Sequence, residues 1–167
     1  PRDNLFKDVA KVGLLNGWGF NLPTKKIGDA FVAAGDKGAR YQATLMSAEE
    51  FEAAGGTIDT ENGTHDYEGY LRMKYATRTS ETNTSGGVTP ELNYGVNWRL
   101  IRWADVLLMA AEAYNEDGKP DLGVKEINKV RQRAQLDLLP DGISQSDLRA
   151  AIIKERQLEL AFEGSRF

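Results

Sequence analysis

The sequence predicts a mainly α-helical protein whose helices pair as hairpins, preceded by a loop-rich stretch. Three observations predict it. Apolar residues recur at helical spacing between Arg99 and Asn115. A short turn at Gly118 and Pro120 then leads into a second periodic stretch, so the two helices must pack antiparallel. Residues 1–97 are glycine-rich and irregular, whereas 98–167 are strongly helical, which sets the expected division of the chain.

In chain order, Pro23-Thr24 opens a short helix with Ile27 and Phe31 four apart on a buried face and Gly35 beyond its end. Ser47-Ala48-Glu49-Glu50 is a capping box, and Gly55-Gly56 ends the helix it starts. Thr57 to Asp66 is polar and reads as a loop. Tyr70 to Ala76 alternates, with Leu71, Met73 and Tyr75 on one face, and is expected to be a half-buried strand. Thr77 to Pro90 is rich in Thr, Ser and Gly and reads as an exposed loop.

The first long helix carries Leu100, Trp103, Ala104, Leu107, Leu108, Ala111 and Tyr114 on one apolar stripe. Pro120 fits the first turn of the next, lined by Val124, Ile127, Val130 and Ala134. After the turn at Pro140-Asp141-Gly142, Ser144 or Ser146 caps a third helix carrying Leu148, Ala151, Ile152, Glu155, Leu158, Glu159 and Phe162, with Gly164 as its stop. An αα-hairpin is the unit of TPR-like solenoids, but the sequence holds no second copy.

Composition narrows the function classes. The 167 residues are 41% hydrophobic and 28% charged, with net charge -4 and a pI near 5.1. That balance argues against nucleic acid, which needs a basic stripe. Lys and Arg are spread out, with no polybasic block for anionic lipid. No run reaches the roughly 18 apolar residues of a spanning helix. Pro1-Arg2-Asp3-Asn4 contains no apolar signal segment. Without cysteine there is no disulfide, CxxC chemistry or cysteine-rich zinc site.

Three blocks in the helical half carry a family resemblance. Arg102-x-Ala104-Asp105-Val106-Leu107-Leu108-Met109-x-Ala111-Glu112-Ala113, Ile127-Asn128-x-Val130-Arg131-x-Arg133-Ala134, and Ile153-x-Glu155-Arg156-x-x-Glu159-Leu160-x-Phe162-Glu163-Gly164-x-Arg166 resemble signatures of the SusD/RagB family in order and spacing. More loosely, Pro23-Thr24 with Asp29-Ala30-Phe31 is similar to a family stretch. Asp36 to Tyr41 is similar to its D-P-R-R-Y segment, with Lys37 where proline is usual and Ala39 at one basic position. Tyr70 to Tyr75 resembles the family's strand before a long loop. The resemblance implies a TPR-like α-helical fold with a loop-rich insertion. It further implies a non-catalytic, surface-exposed outer-membrane lipoprotein that binds glycan and works with a SusC-like TonB-dependent transporter. Family members are much longer and begin with a lipidated cysteine, so the resemblance implies that this chain is a piece of such a protein.

Candidate ligand residues are Trp18, Phe20, Asn21 and Trp98. Sugars stack apolar faces on aromatic rings, and amides bind their hydroxyls. Trp18 sits between two glycines beside Asn16, Phe20 and Asn21, which is ligand-loop rather than core-helix context. Trp98 lines a cleft or fills the core. Trp103, on the apolar stripe, is expected in the core. Tyr67, Tyr70 and Tyr94 rank below these.

Glu155 and Glu159, four apart, could form a glycosidase pair. The interleaved arginines instead favour interhelical charge-assisted hydrogen bonds. The lone His65 lies in a polar loop with no HExxH partner. Asp59 to Gly63 places its glycine one position early for an EF-hand. No metal or cofactor is expected. Two other functions stay open: a TPR-like interaction scaffold without a sugar site, and a carbohydrate-active hydrolase.

Overall fold

The computed structural model describes residues 5–15, 17, 21–59, 66–81 and 99–164. It is mainly α-helical, with TPR-like hairpin packing and short two-stranded pairings in the loop-rich part. The chain forms two compact units, 1–29 with 42–98, and 30–41 with 99–167.

In the first unit, β1 (Phe6–Lys7) pairs antiparallel with β3 (Thr57–Ile58), and β2 (Leu45–Ser47) with β4 (Tyr70–Arg72). The Thr57 to Asp66 loop therefore begins as a strand. Ser47 caps α3 (Ala48–Ala53) through the complete capping box: its hydroxyl accepts from the Glu50 N–H, and the Glu50 carboxylate accepts from the Ser47 N–H. Phe6 meets Phe51 and Tyr67 edge-on, with ring centres 5.6 and 5.4 Å apart. The expected strand from Tyr70 to Ala76 stops at Arg72. Leu71 and Met73 are buried as the alternation requires, but Tyr75 takes φ 60°, which no strand residue can adopt. Residues 79–81 form a single 3₁₀ turn.

Helices α1 (Lys25–Ala33) and α2 (Ala39–Thr44) have members in both units. Within the second unit, α1 ends in a Schellman closure. The Asp36 N–H donates to the Phe31 carbonyl (3.0 Å) and the Gly35 N–H to Val32 (3.0 Å), with Gly35 at φ 66°. Phe31 is fully buried and meets Tyr41 edge-on at 5.7 Å.

The long helices are α4 (Trp103–Glu116), α5 (Pro120–Arg133) and α6 (Gln145–Glu159). Their shared core is Ala104, Leu107, Leu108, Ala111, Val124, Ile127, Val130, Leu148 and Ile152. Pro120 opens α5, and the Ser144 hydroxyl caps α6 by accepting from the Asp147 N–H at 3.1 Å. Side-chain amides pin the ends. Asn115 Nδ2 donates to the Gln145 carbonyl (3.1 Å) while Gln145 Nε2 donates to the Asn115 carbonyl (2.6 Å). Asn128 closes the α5–α6 connection, donating to the Leu139 carbonyl (3.0 Å) and accepting from its N–H (2.9 Å).

Two expectations about these helices need correction. Trp103 is 70% exposed and Leu100 86% exposed, not core. Leu100 precedes the first helical residue, so the periodic rule does not reach it. At about 100° per residue, Trp103 and Tyr114 fall at the edge of the arc centred on Ala104, Leu108 and Ala111. Helix α6 ends at Glu159 with Leu160 as C-cap, short of the expected stop at Gly164.

Gly123 sets the spacing of the hairpin. A Cβ there would lie 2.8 Å from the Ala111 carbonyl oxygen and 3.0 Å from Leu148 Cδ2. The backbone oxygen cannot move without shifting α4. Gly123→Ala gains about 1 kcal/mol of helix propensity but overpacks this crossing by about 1–3 kcal/mol. The variant is therefore expected to melt at or below the parent temperature in a circular dichroism scan. A clear rise in Tm would show that the helices can part at no cost.

Candidate functional site

The most concentrated chemistry in the second unit is a buried charge network on α6, four arginines against four carboxylates. Arg40 is its centre, with a side chain 4% exposed. Its Nε donates to Asp36 Oδ2 at 2.6 Å, and its Nη1 to Glu155 Oε1 at 2.5 Å and Glu159 Oε2 at 3.3 Å. The Schellman closure of α1 delivers Asp36, and α2 delivers Arg40 four residues later. Glu155 and Glu159 lie one turn apart on the buried face of α6.

Each glutamate also takes a cation from the hairpin. Arg131 Nη1 donates to Glu155 Oε2 at 2.9 Å. Arg102 Nη1 donates to Glu159 Oε1 at 2.9 Å, and Arg133 Nη2 lies 2.6 Å from both Glu159 oxygens. Arg102 further grips Glu163 with two bonds of 2.8 Å and donates to the Glu159 carbonyl at 2.9 Å. Arg156 Nη1 lies 3.0 Å from Asp105 Oδ1, but off-line: an ion pair by distance and not an aligned hydrogen bond.

The electrostatics follow from this geometry. Burial alone would lower the pKa of the Arg40 guanidinium; the Glu155 charge and hydrogen bond outweigh it, and the net shift is upward. Burial likewise opposes Arg102, and its bonds to Glu163 and Glu159 drive it up. Glu155 and Glu159 are 1% and 2% exposed, and both are clamped by guanidiniums. Groups so enclosed cannot flank a sugar. The arrangement is interhelical ion pairing, as the interleaved arginines suggested. Sequence reasoning missed Asp36 and Arg40, four residues apart, because the α6 partners of Arg40 lie 115 and 119 residues away; their similarity to a family segment was the available signal.

Of the ligand candidates, Trp18, Phe20 and Trp98 lie outside the described residues, as do Asn16, His65, Tyr94 and Arg166. Asn21 is exposed and takes φ 55°. Tyr67 packs into the aromatic cluster with its hydroxyl buried. Burial, then the Glu52 charge, push its pKa up to about 12. The Tyr70 ring lies against Gly28, where any Cβ would collide with it. These two tyrosines are packing residues. Among the described residues, no group of three or more acidic or histidine side chains could hold a metal ion.

Two grooves open on the long helices. One of about 450 Å³ has an apolar floor of Ile152, Ile153 and Leu160 beside the exposed Glu116–Arg149 pair. Another of about 470 Å³ runs beneath exposed Trp103, between α4 and α5, with Arg99, Lys129 and Arg133 at its rim.

The model of the SusD family matches residues 15–167. SusD-like protein P2 of Formosa agariphila is 40% identical over 79 residues, 42% of this chain and 16% of that protein. SusD-like protein P25 of the same organism is 43% identical over 81 residues, 47% of this chain and 15% of that protein. The crystal structure of a SusD superfamily protein from Bacteroides vulgatus superposes with TM-score 0.66 at 27% identity, covering 94% of this chain and 33% of that one. A SusD-like protein from Bacteroides fragilis, 24% identical, shares the fold with TM-score 0.66 over 88% of this chain and 35% of that one. The chain thus spans about a third of its solved relatives' length.

Arg40→Met takes the cation from buried Asp36 and one of the cations from Glu155 and from Glu159, and is expected to destabilise the fold by about 3–5 kcal/mol. Arg149→Ala, which breaks an exposed pair, is expected to leave stability nearly unchanged. Urea unfolding of both variants checks the contrast, and equal effects would contradict the buried role of Arg40.

Proposed function

Because the chain belongs to the SusD family, we propose that the whole protein binds an oligosaccharide, or another nutrient, at the bacterial cell surface and passes it unaltered to a TonB-dependent outer-membrane transporter. The observation that carries this reading is the family match, which spans both the helical hairpin and the segment that supplies Arg40. Glycan-linked nutrient uptake is the general role of that family.

Several features support binding over hydrolysis. A glycosidase needs two carboxyls flanking the scissile bond, one of them with a raised pKa. The pair at helical spacing, Glu155 and Glu159, is sealed by arginines. Capture would rest on stacking by Trp18, Phe20 and Trp98 and on hydroxyl recognition by Asn21, whose exposure suits that role. No helix among the described residues is long and apolar enough to cross a membrane. Attachment through a lipid on the longer protein fits that observation.

A second reading has an observation of its own. Leu100, Ile101 and Trp103 are 86%, 70% and 70% exposed at the head of α4, a contiguous apolar face of the kind that packs on protein. It favours a TPR-like interaction scaffold. The two readings are compatible, since delivery to a transporter also needs a protein contact.

The full-length protein is expected to bind an oligosaccharide in titration calorimetry and to release no new reducing ends on prolonged incubation; steady product formation would contradict the reading. Trp18→Ala is expected to weaken binding about two- to tenfold with the circular dichroism spectrum unchanged. Unaltered affinity would remove Trp18 from the platform.

A further inference from the structure

The groove beneath Trp103 differs in charge from the chain that carries it. The chain as a whole has net charge -4. Four cations line the groove, Arg99 and Arg102 at the head of α4 and Lys129 and Arg133 on α5. Among the described residues, no acidic side chain lines it. The paired carboxylates are set behind their cations. The Arg133 side chain is 58% exposed and its partner Glu159 2%; Glu163, gripped by Arg102, is also buried. Lys129 is more exposed than its partner Glu126. The rim therefore presents positive charge to solvent.

Its polar groups are also of one kind. Guanidinium, ammonium and the indole N–H of Trp103 donate hydrogen bonds and accept none. Sugar hydroxyls both donate and accept, and among the described residues the lining offers them no side-chain acceptor. The floor is aliphatic, made of Ala104, Leu107 and Val130. A donor-only rim over an aliphatic floor suits a ligand that carries carboxylates beside an apolar group.

We propose that this groove docks an acidic segment of a partner protein, a proposal that rests on the interaction-scaffold reading of the exposed α4 head and specifies the chemistry of its partner. An apolar side chain of the segment sits on Leu107 and Val130 against the Trp103 ring. Flanking carboxylates pair with Arg99, Lys129 and Arg133. Arg133 uses only Nη2 for Glu159, so its other N–H groups remain to donate. Arg102 is committed to Glu159 and Glu163 and contributes field alone. The aromatic anchor supplies most of the affinity, and the cations supply the choice of partner. Docking would also cover the exposed Leu100 and Ile101 beside the groove.

The probe is a library of random peptides displayed on phage, selected against the full-length protein and counter-selected against its Trp103→Ala variant. Recovered peptides should carry aspartate or glutamate next to leucine or an aromatic residue. Synthetic copies should bind Trp103→Ala about tenfold more weakly than the parent. Lys129→Glu should weaken them about three- to tenfold, with the difference shrinking at high salt. Trp103 and Lys129 are both exposed, so each variant is expected to keep the parent circular dichroism spectrum. Trp103-dependent peptides that lack acidic residues, or that bind Lys129→Glu as well as the parent, would overturn the proposal and leave the scaffold reading standing. Recovery of no Trp103-dependent peptide would overturn both. Oligogalacturonate that binds the parent and not Trp103→Ala, with no acidic peptide recovered, would make the groove a sugar site and overturn the proposal.

Discussion

A single buried guanidinium organises the second unit. Arg40 must find anions, because an ion removed from water without partners costs several kcal/mol. Its anions come from two places, Asp36 beside it and α6 far along the chain. The same α6 carboxylates are needed by Arg102, Arg131 and Arg133 on the preceding hairpin. The register of α6 against α4 and α5, and the docking of 36–41, are therefore one electrostatic problem with one solution.

This explains what the family signatures do. Arg102 heads one motif, Arg131 and Arg133 sit in the next, and Glu155, Glu159 and Glu163 in the third. Their side chains meet each other. A buried ion-pair network adds little net stability over a well-packed apolar replacement, but breaking it by one member is costly. On this account its contribution is to specify which elements meet.

Much of the hairpin was legible because helical periodicity, Pro120 and the Ser144 cap are local signals. The capping box at Ser47 was legible for the same reason. Errors arose where tertiary geometry overrides a local pattern. Trp103 shares the apolar character of the stripe but sits at its edge, and Leu100 lies before the helix begins. The Tyr70 strand is cut short by the left-handed Tyr75. Arginines facing glutamates were expected on the helices, yet the role of Arg40 escaped notice because no periodic rule links it to Glu155, 115 residues away. The close packing at Gly123 was equally silent, since a helical glycine carries no mark of what approaches it. The candidate ligand residues Trp18, Phe20 and Trp98 rest on sequence context alone.

The most direct test of this picture is the energetic coupling between the two distant members of the network. A double-mutant cycle on Arg40→Met and Glu155→Gln, measured by urea unfolding, isolates that pairwise contribution. If Arg40 joins the segment to α6 as described, the two substitutions are strongly non-additive, with a coupling of about 2–3 kcal/mol. A coupling below about 0.5 kcal/mol, the level of independent sites, would contradict it.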